Sequence, residues 1–143
     1  MSSLGIDTID KTVQATNIWL GELDTRLGWE NRHRSWRLLR ETLHALRDWL
    51  TVDEAVQLGA QMPILIRGIY YEGWDPSKTP AKPRGLEDFV ARIERAFGTD
   101  VIDEPQEAIA CVFELLSWHI SKGEIGDVKK ALPKTLRDLW PEA

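Results

Sequence analysis

The sequence is poor in the residues that carry most site chemistry. It holds one cysteine, Cys111, and three histidines, His33, His44 and His119, in 143 residues. A single cysteine makes no internal disulfide and excludes a zinc site built on cysteines. The histidines never fall at i, i+4 spacing and no HExxH occurs, so a histidine metal site has no support. There is no GxSxG nucleophile elbow and no glycine-rich phosphate loop, and Arg84-Gly85 is too little for one. No apolar run approaches the roughly 20 residues that span a bilayer. The opening MSSLGIDTIDKTVQ lacks the basic and apolar regions of a signal peptide, and the expectation is a cytoplasmic chain. Alternation at period 2 is also missing, which leaves little room for β-strands.

What is present describes one globular domain. Hydrophobic residues make up 43% and charged residues 29%, and the net charge is −5. About 150 residues bury a sizeable core without disulfide or metal. The acidic balance and scattered bases argue against nucleic acid, and no helix reads as a membrane anchor.

The most informative pattern is a repeat at an offset of 70 residues. Aligning 16–73 with 86–143 pairs Leu23 with Ile93, Leu39 with Ile109, Leu43 with Phe113, Leu50 with Ile120 and Tyr70 with Trp140. Identities are few, so the evidence is pattern and punctuation. Gly28 and Gly98 each follow the last apolar residue of a first helix. Second helices are expected over Ser35–Leu50 and Pro105–Ile120, where apolar residues recur at spacings of 4, 3 and 4. Thr51-Val52-Asp53-Glu54 and Ser121-Lys122-Gly123-Glu124 read as capping boxes opening third helices that run to Gln61 and Ala131. Pro63 and Pro133 then stop these helices and start short fourth ones, over Pro63–Tyr70 and Pro133–Trp140. Between the halves, residues 73–85 carry three prolines and read as a semi-rigid connector, and residues 1–7 as a frayed tail. The expected fold is an all-α bundle of two pseudo-symmetric three-to-four-helix repeats, about 8–73 and 86–143, packed as one domain because each half alone is marginal.

The run Gln61-Met62-Pro63-Ile64-Leu65-Ile66-Arg67-Gly68-Ile69-Tyr70-Tyr71-Glu72-Gly73-Trp74 resembles the signature of the DUF2267 family. Leu43-His44-Ala45-Leu46-Arg47, Leu50 to Ala55, Glu87-Asp88-Phe89, Gly123-Glu124, Leu132-Pro133 and Leu139-Trp140-Pro141 fit it in order. Met62 departs, standing where leucine is commoner. The resemblance implies a small, bacterial, all-helical protein of unknown function, and it brings no established catalytic residue.

Three candidate features remain. Glu54, Arg67, Glu124 and Arg137 occupy equivalent positions in the two halves. They read either as structure, glutamates capping helices and arginines closing the bundle by bidentate ion pairs, or as a polar site at the repeat interface. Tyr70, Tyr71 and Trp74 form either an aromatic lip at the mouth of the connector or, as the favoured alternative, a contact in which Trp74 packs the connector onto the bundle. The run Arg32-His33-Arg34, continuing to Arg37 and Arg40, puts positive charge at a helix start, against the dipole; it reads first as a solvated face and otherwise as a surface for an acidic partner. Of seven tryptophans, Trp19, Trp36, Trp49, Trp118 and Trp140 read as core or half-core, and Cys111 as a buried structural thiol. The favoured function is a non-enzymatic binding module for a protein partner or a second copy, with no cofactor. The alternative is a small-ligand protein or enzyme using the Glu/Arg set.

Overall fold

Gly28 ends the first helix as the sequence requires. It adopts φ 70° and ψ 17°, and its amide donates to the carbonyls of Asp24 and Thr25, a left-handed cap that glycine takes without penalty. The structure is a computed structural model that describes residues 5–82 and 85–141. Along these, α1 spans Asp7–Leu27, α2 Arg32–Trp49, α3 Val52–Ala60 and α4 Ile64–Tyr71. A 3-10 turn at Pro76–Lys78 interrupts the connector. The chain continues as α5 Leu86–Phe97, α6 Pro105–His119, α7 Lys122–Ala131 and α8 Lys134–Arg137. Every element among the described residues is helical, and none of these helices is long and apolar enough to cross a membrane.

Boundaries differ from the sequence reading in three places. Helix α2 begins at Arg32, three residues before Ser35, because Asn31 caps it by accepting from the Arg34 amide at 3.1 Å. Helix α8 covers four residues only. Beyond it the chain tightens into turns, with the Leu139 and Trp140 amides bonded to the carbonyls three residues back. Pro141 follows, and a proline disfavours helical geometry in the residue before it. In the connector, Pro76 opens the 3-10 turn and the Asp75 carboxylate accepts from the Ser77 amide at 3.1 Å. Pro83 and Arg84 of that connector, and residues 1–4 of the expected tail, lie outside the described residues.

The core follows the apolar stripes. Trp19 and Leu23 of α1, the leucines 38, 39, 43 and 46 of α2, Phe89 and Ile93 of α5 and Ile109, Phe113 and Leu116 of α6 are buried in one cluster. Each fully buried leucine is worth roughly 1.5–3 kcal/mol of transfer free energy. An aromatic row crosses the cluster. Trp49 meets Phe89 edge-on at 5.1 Å, Phe89 meets Phe113 at 6.1 Å, and Phe113 stacks on Trp140 at 4.1 Å. Trp118 departs from expectation: it is 49% exposed. Helix α1 packs on α2 and α6, α2 also on α4, α5 and α6, and α3 on α4 and α7.

The candidate functional site

The Glu/Arg set does not assemble as ion pairs. Arg67 folds back on the end of α3, its Nε donating to the Gly59 carbonyl at 2.9 Å and its Nη2 to those of Ala60 and Met62 at 3.2 and 2.9 Å. Arg137 does the same more loosely at the end of α7, donating to the Leu132 carbonyl at 3.2 Å. Both guanidiniums satisfy carbonyls that a helix C-terminus leaves free. Among the described residues no ion pair joins either to Glu54 or Glu124, which corrects the expected Glu–Arg closure.

The capping boxes form by half. Thr51 and Ser121 accept from the amides of Glu54 and Glu124 at 3.3 and 3.2 Å. The glutamate side chains make no return bond to the cap amides. For Glu124 the reason is visible, since the Ser121 amide is taken by Gln61 Oε1 at 3.0 Å. Each glutamate keeps a buried Oε2 without a hydrogen-bond partner. Burial, and then the neighbouring Glu54 carboxylate, hold the Glu124 carboxyl above the usual carboxylate range.

The aromatic lip is mostly core. Tyr70 is fully buried, and its hydroxyl donates to the Ala55 carbonyl at 2.7 Å. Burial keeps that phenol protonated far above its ordinary range. Tyr71 and Trp74 are half-buried and stack at 5.4 Å, with Trp74 packed on the core. The lip is therefore reduced from three rings to the outer faces of two.

The basic helix start already has its acid. Arg34 Nε donates to both carboxylate oxygens of Asp100 at 3.1 and 3.0 Å, and its Nη2 to the Val101 carbonyl at 3.1 Å. Its guanidinium also lies 4.0 Å over the Trp29 ring. Arg37 reaches the same Asp100 at 3.4 Å and covers Phe97. Asp24 accepts from the Asn31 amide and the Ser35 hydroxyl at 3.0 and 2.7 Å, placing a carboxylate at the α2 N-terminus. Arg34 and Arg37 of the basic run are thus paired with an acid inside the chain.

Arg47 was missed by sequence reasoning. It is 3% exposed, and its Nη1 donates to the carbonyls of Tyr70 and Glu72 at 2.9 and 2.8 Å. Its Nε binds Asp48, which in turn pairs with Arg92 of α5 at 2.8 Å. The Asp48 carbonyl accepts from the Ala81 amide at 2.7 Å and straps down the connector. The signal was available: Leu43, Leu46, Arg47 and Leu50 follow i, i+3, i+4, i+7, which puts a charge on an apolar stripe.

A cleft that the sequence did not announce opens where α1 ends and α6 begins. It encloses about 630 Å³. Trp29, Ile102 and Cys111 contribute apolar lining, and Arg26, Arg34, Asp103, Glu104 and Glu107 line it as well. Arg26 pairs with Glu114 at 2.6 Å. Glu107 hydrogen-bonds Glu104 and raises its carboxyl above the usual range. Cys111 is buried, and burial pushes its thiol up, away from the thiolate a nucleophile needs.

With this geometry in place the comparison with known families is decisive. The model of the uncharacterised conserved protein family DUF2267 matches residues 16–139. The chain belongs to the DUF2267 family. No curated protein matches it. In this DUF2267 chain the matched span runs from α1 into the turns after α8 and includes both glutamates, both carbonyl-capping arginines and Arg47. The histidines are ordinary. His33 is exposed, His44 Nε2 donates to the Ile69 carbonyl at 2.7 Å, and His119 stacks on Trp19 and contacts Glu22. Among the described residues no three His, Cys, Asp or Glu side chains group as metal ligands.

Proposed function

We propose that this DUF2267 chain is a non-enzymatic binding domain, and that the cleft between the α1–α2 corner and the start of α6 holds its ligand. The cleft carries the reading. Its 630 Å³ lies within the size range of small-ligand sites. Trp29 and Ile102 offer an apolar floor. Arg26 and Arg34 are already bound to Glu114 and Asp100, whereas Asp103, Glu104 and Glu107 form no ion pair among the described residues. The unbalanced charge facing the cleft is negative, so the ligand is a cationic group on a partly apolar body, such as a lysine-bearing peptide. An enzyme built on Glu54, Arg67, Glu124 and Arg137 is the weaker reading, because both arginines bond backbone carbonyls and neither pairs with a glutamate of the set among the described residues.

The same proposal treats the chain as two similar halves packed crosswise into one folding unit. Helix α1 packs on α6 and α2 on α5, pairings that exchange under the 70-residue offset. Helix α2 packs on α6 and α3 on α7, pairings that map onto themselves. Position 47 touches residue 70 in the first half, and position 117 touches residue 140 in the second, through the Ser117 hydroxyl and Trp140 Nε1 at 2.7 Å.

The test is an amide NMR titration with a short lysine-rich peptide. Shifts are expected to concentrate on residues 26–34 and 102–111 and to vanish in a variant carrying Glu104→Lys with Glu107→Lys. Shifts spread evenly over the acidic surface, or retained in that variant, defeat the assignment.

A further inference from the structure

The seam between α3 and α7 carries two carboxylates that form no ion pair among the described residues. Glu124 is 7% exposed, and both its Oε2 and that of Glu54 are buried without a hydrogen-bond partner. Their backbones are fixed, because the Thr51 and Ser121 hydroxyls hold the two glutamate amides at the third position of each helix. The helices pack against each other, and Gln61 pins them at one point through Ser121. Burying a lone carboxylate is costly, and burying it near a second is more so.

We propose that Glu54 and Glu124 form a proton-holding pair across this seam: a proton taken from solvent by Glu124 keeps α3 and α7 together, and its release loosens them. The surroundings supply no cation in its place. Helix α3 carries Asp53 and Glu54 and no base. Helix α6 carries Glu107, Glu114 and His119, and that histidine contacts Glu22. On α7 itself, Asp127 adds to the negative field, and Lys122, Lys129 and Lys130 form no ion pair with Glu124 among the described residues. From α4, Tyr70 donates its hydroxyl to Ala55, and Arg67 sits on the carbonyls at the far end of α3. Arg137 of α8 donates from Nη2 to the Leu132 carbonyl and leaves its buried Nε unpartnered, and among the described residues it forms no ion pair with Glu124. The two helix N-termini favour negative charge, and against them burial, then the Glu54 carboxylate, push the Glu124 carboxyl up.

The sign follows from that direction. A carboxyl raised in the folded state stabilises fully below its unfolded value and loses this as pH rises through the folded one. His44 runs the other way. Burial lowers its imidazole, so its contribution is lost as pH falls below the ordinary histidine range. The comparison must therefore be between variants at each pH. Thermal melts of the full chain and of Glu124→Gln at pH 5 and pH 8 isolate the pair. The variant's advantage in melting temperature is expected to be near zero at pH 5 and about 3 °C or more at pH 8. An advantage independent of pH, or a variant weaker at both, overturns the proposal. A carboxyl carbon NMR titration reads the same site without relying on stability. The Glu124 midpoint should stand above the other glutamates and fall in Glu54→Gln, and a midpoint in the ordinary range also overturns it. Should 5 mM magnesium chloride raise the melting temperature of the unmodified chain at pH 8 but not that of Glu124→Gln, the occupant is a metal cation and the proton pair is wrong.

Discussion

Gly59 stands where α3 passes closest to the end of α4. A Cβ there would lie 2.5 Å from the Tyr71 hydroxyl oxygen, 2.8 Å from the ring carbon bearing it, and 3.0 Å from Cε2 of the buried Tyr70. Tyr71 is half-buried and can swing, but Tyr70 is fixed by its bond to the Ala55 carbonyl. Gly59→Ala is expected to cost about 1–3 kcal/mol in urea unfolding, the range for overpacking. Adding Tyr71→Ala should recover part of that loss, and full additivity of the two changes would place the clash elsewhere. At this scale the sequence was half legible. Glu54 and Glu124 stood out as equivalent positions, but spacing cannot tell a carboxylate that returns to its cap from one turned into a seam. For Glu124 the cap amide is occupied by Gln61, a residue sixty positions from it. Arg47 was legible as a charge on a leucine stripe. Its partners were not, because backbone carbonyls leave no mark in sequence.

Caps decide where the elements begin, and here local chemistry dominates. Thr51 and Ser121 open α3 and α7 through hydroxyl-to-amide bonds, so Thr51→Ala and Ser121→Ala are each expected to cost about 1 kcal/mol. Glu54→Ala should not show that capping loss, because its carboxylate makes no bond to the cap amide. Chemical denaturation of the three variants separates the roles. A Glu54→Ala loss equal to that of Thr51→Ala would restore the full capping box. Element positions were the most legible part of the chain, since glycines, prolines and hydroxyls act within a few residues of themselves. The exceptions have non-local or backbone causes. Helix α5 is capped by the Asp88 carboxylate on the Gly85 amide at 2.9 Å, a reciprocal bond that glycine's missing side chain conceals. Helix α8 ends early as the chain tightens toward Pro141.

For the whole molecule the question is whether either half can stand without the other. In the first half, α1 lays Trp19 and Leu23 partly against α6, α2 supports both α5 and α6, and α3 finds its partner in α7. Leu38, Leu39, Leu43 and Leu46 are each no more than 1% exposed in the full chain. Cutting after residue 82 removes α5, α6 and α7 and opens that stripe to water, at roughly 25 cal/mol for each Å² uncovered. A fragment of about 80 residues rarely has more than about 3–5 kcal/mol in reserve. The 1–82 fragment is therefore expected to show no cooperative thermal transition by circular dichroism, while mixing it with 86–143 should restore one. Cooperative melting of 1–82 alone would mean that the crosswise contacts are dispensable and that the chain is two units. The 70-residue pattern made such packing an expectation, because two equal apolar faces need each other. The cleft between the end of α1 and the start of α6 had no such signature. It lies where Trp29 of loop 28–31 and Ile102 of loop 98–104 line one space, and the Arg34–Asp100 pair that ties the start of α2 to loop 98–104 spans 66 positions.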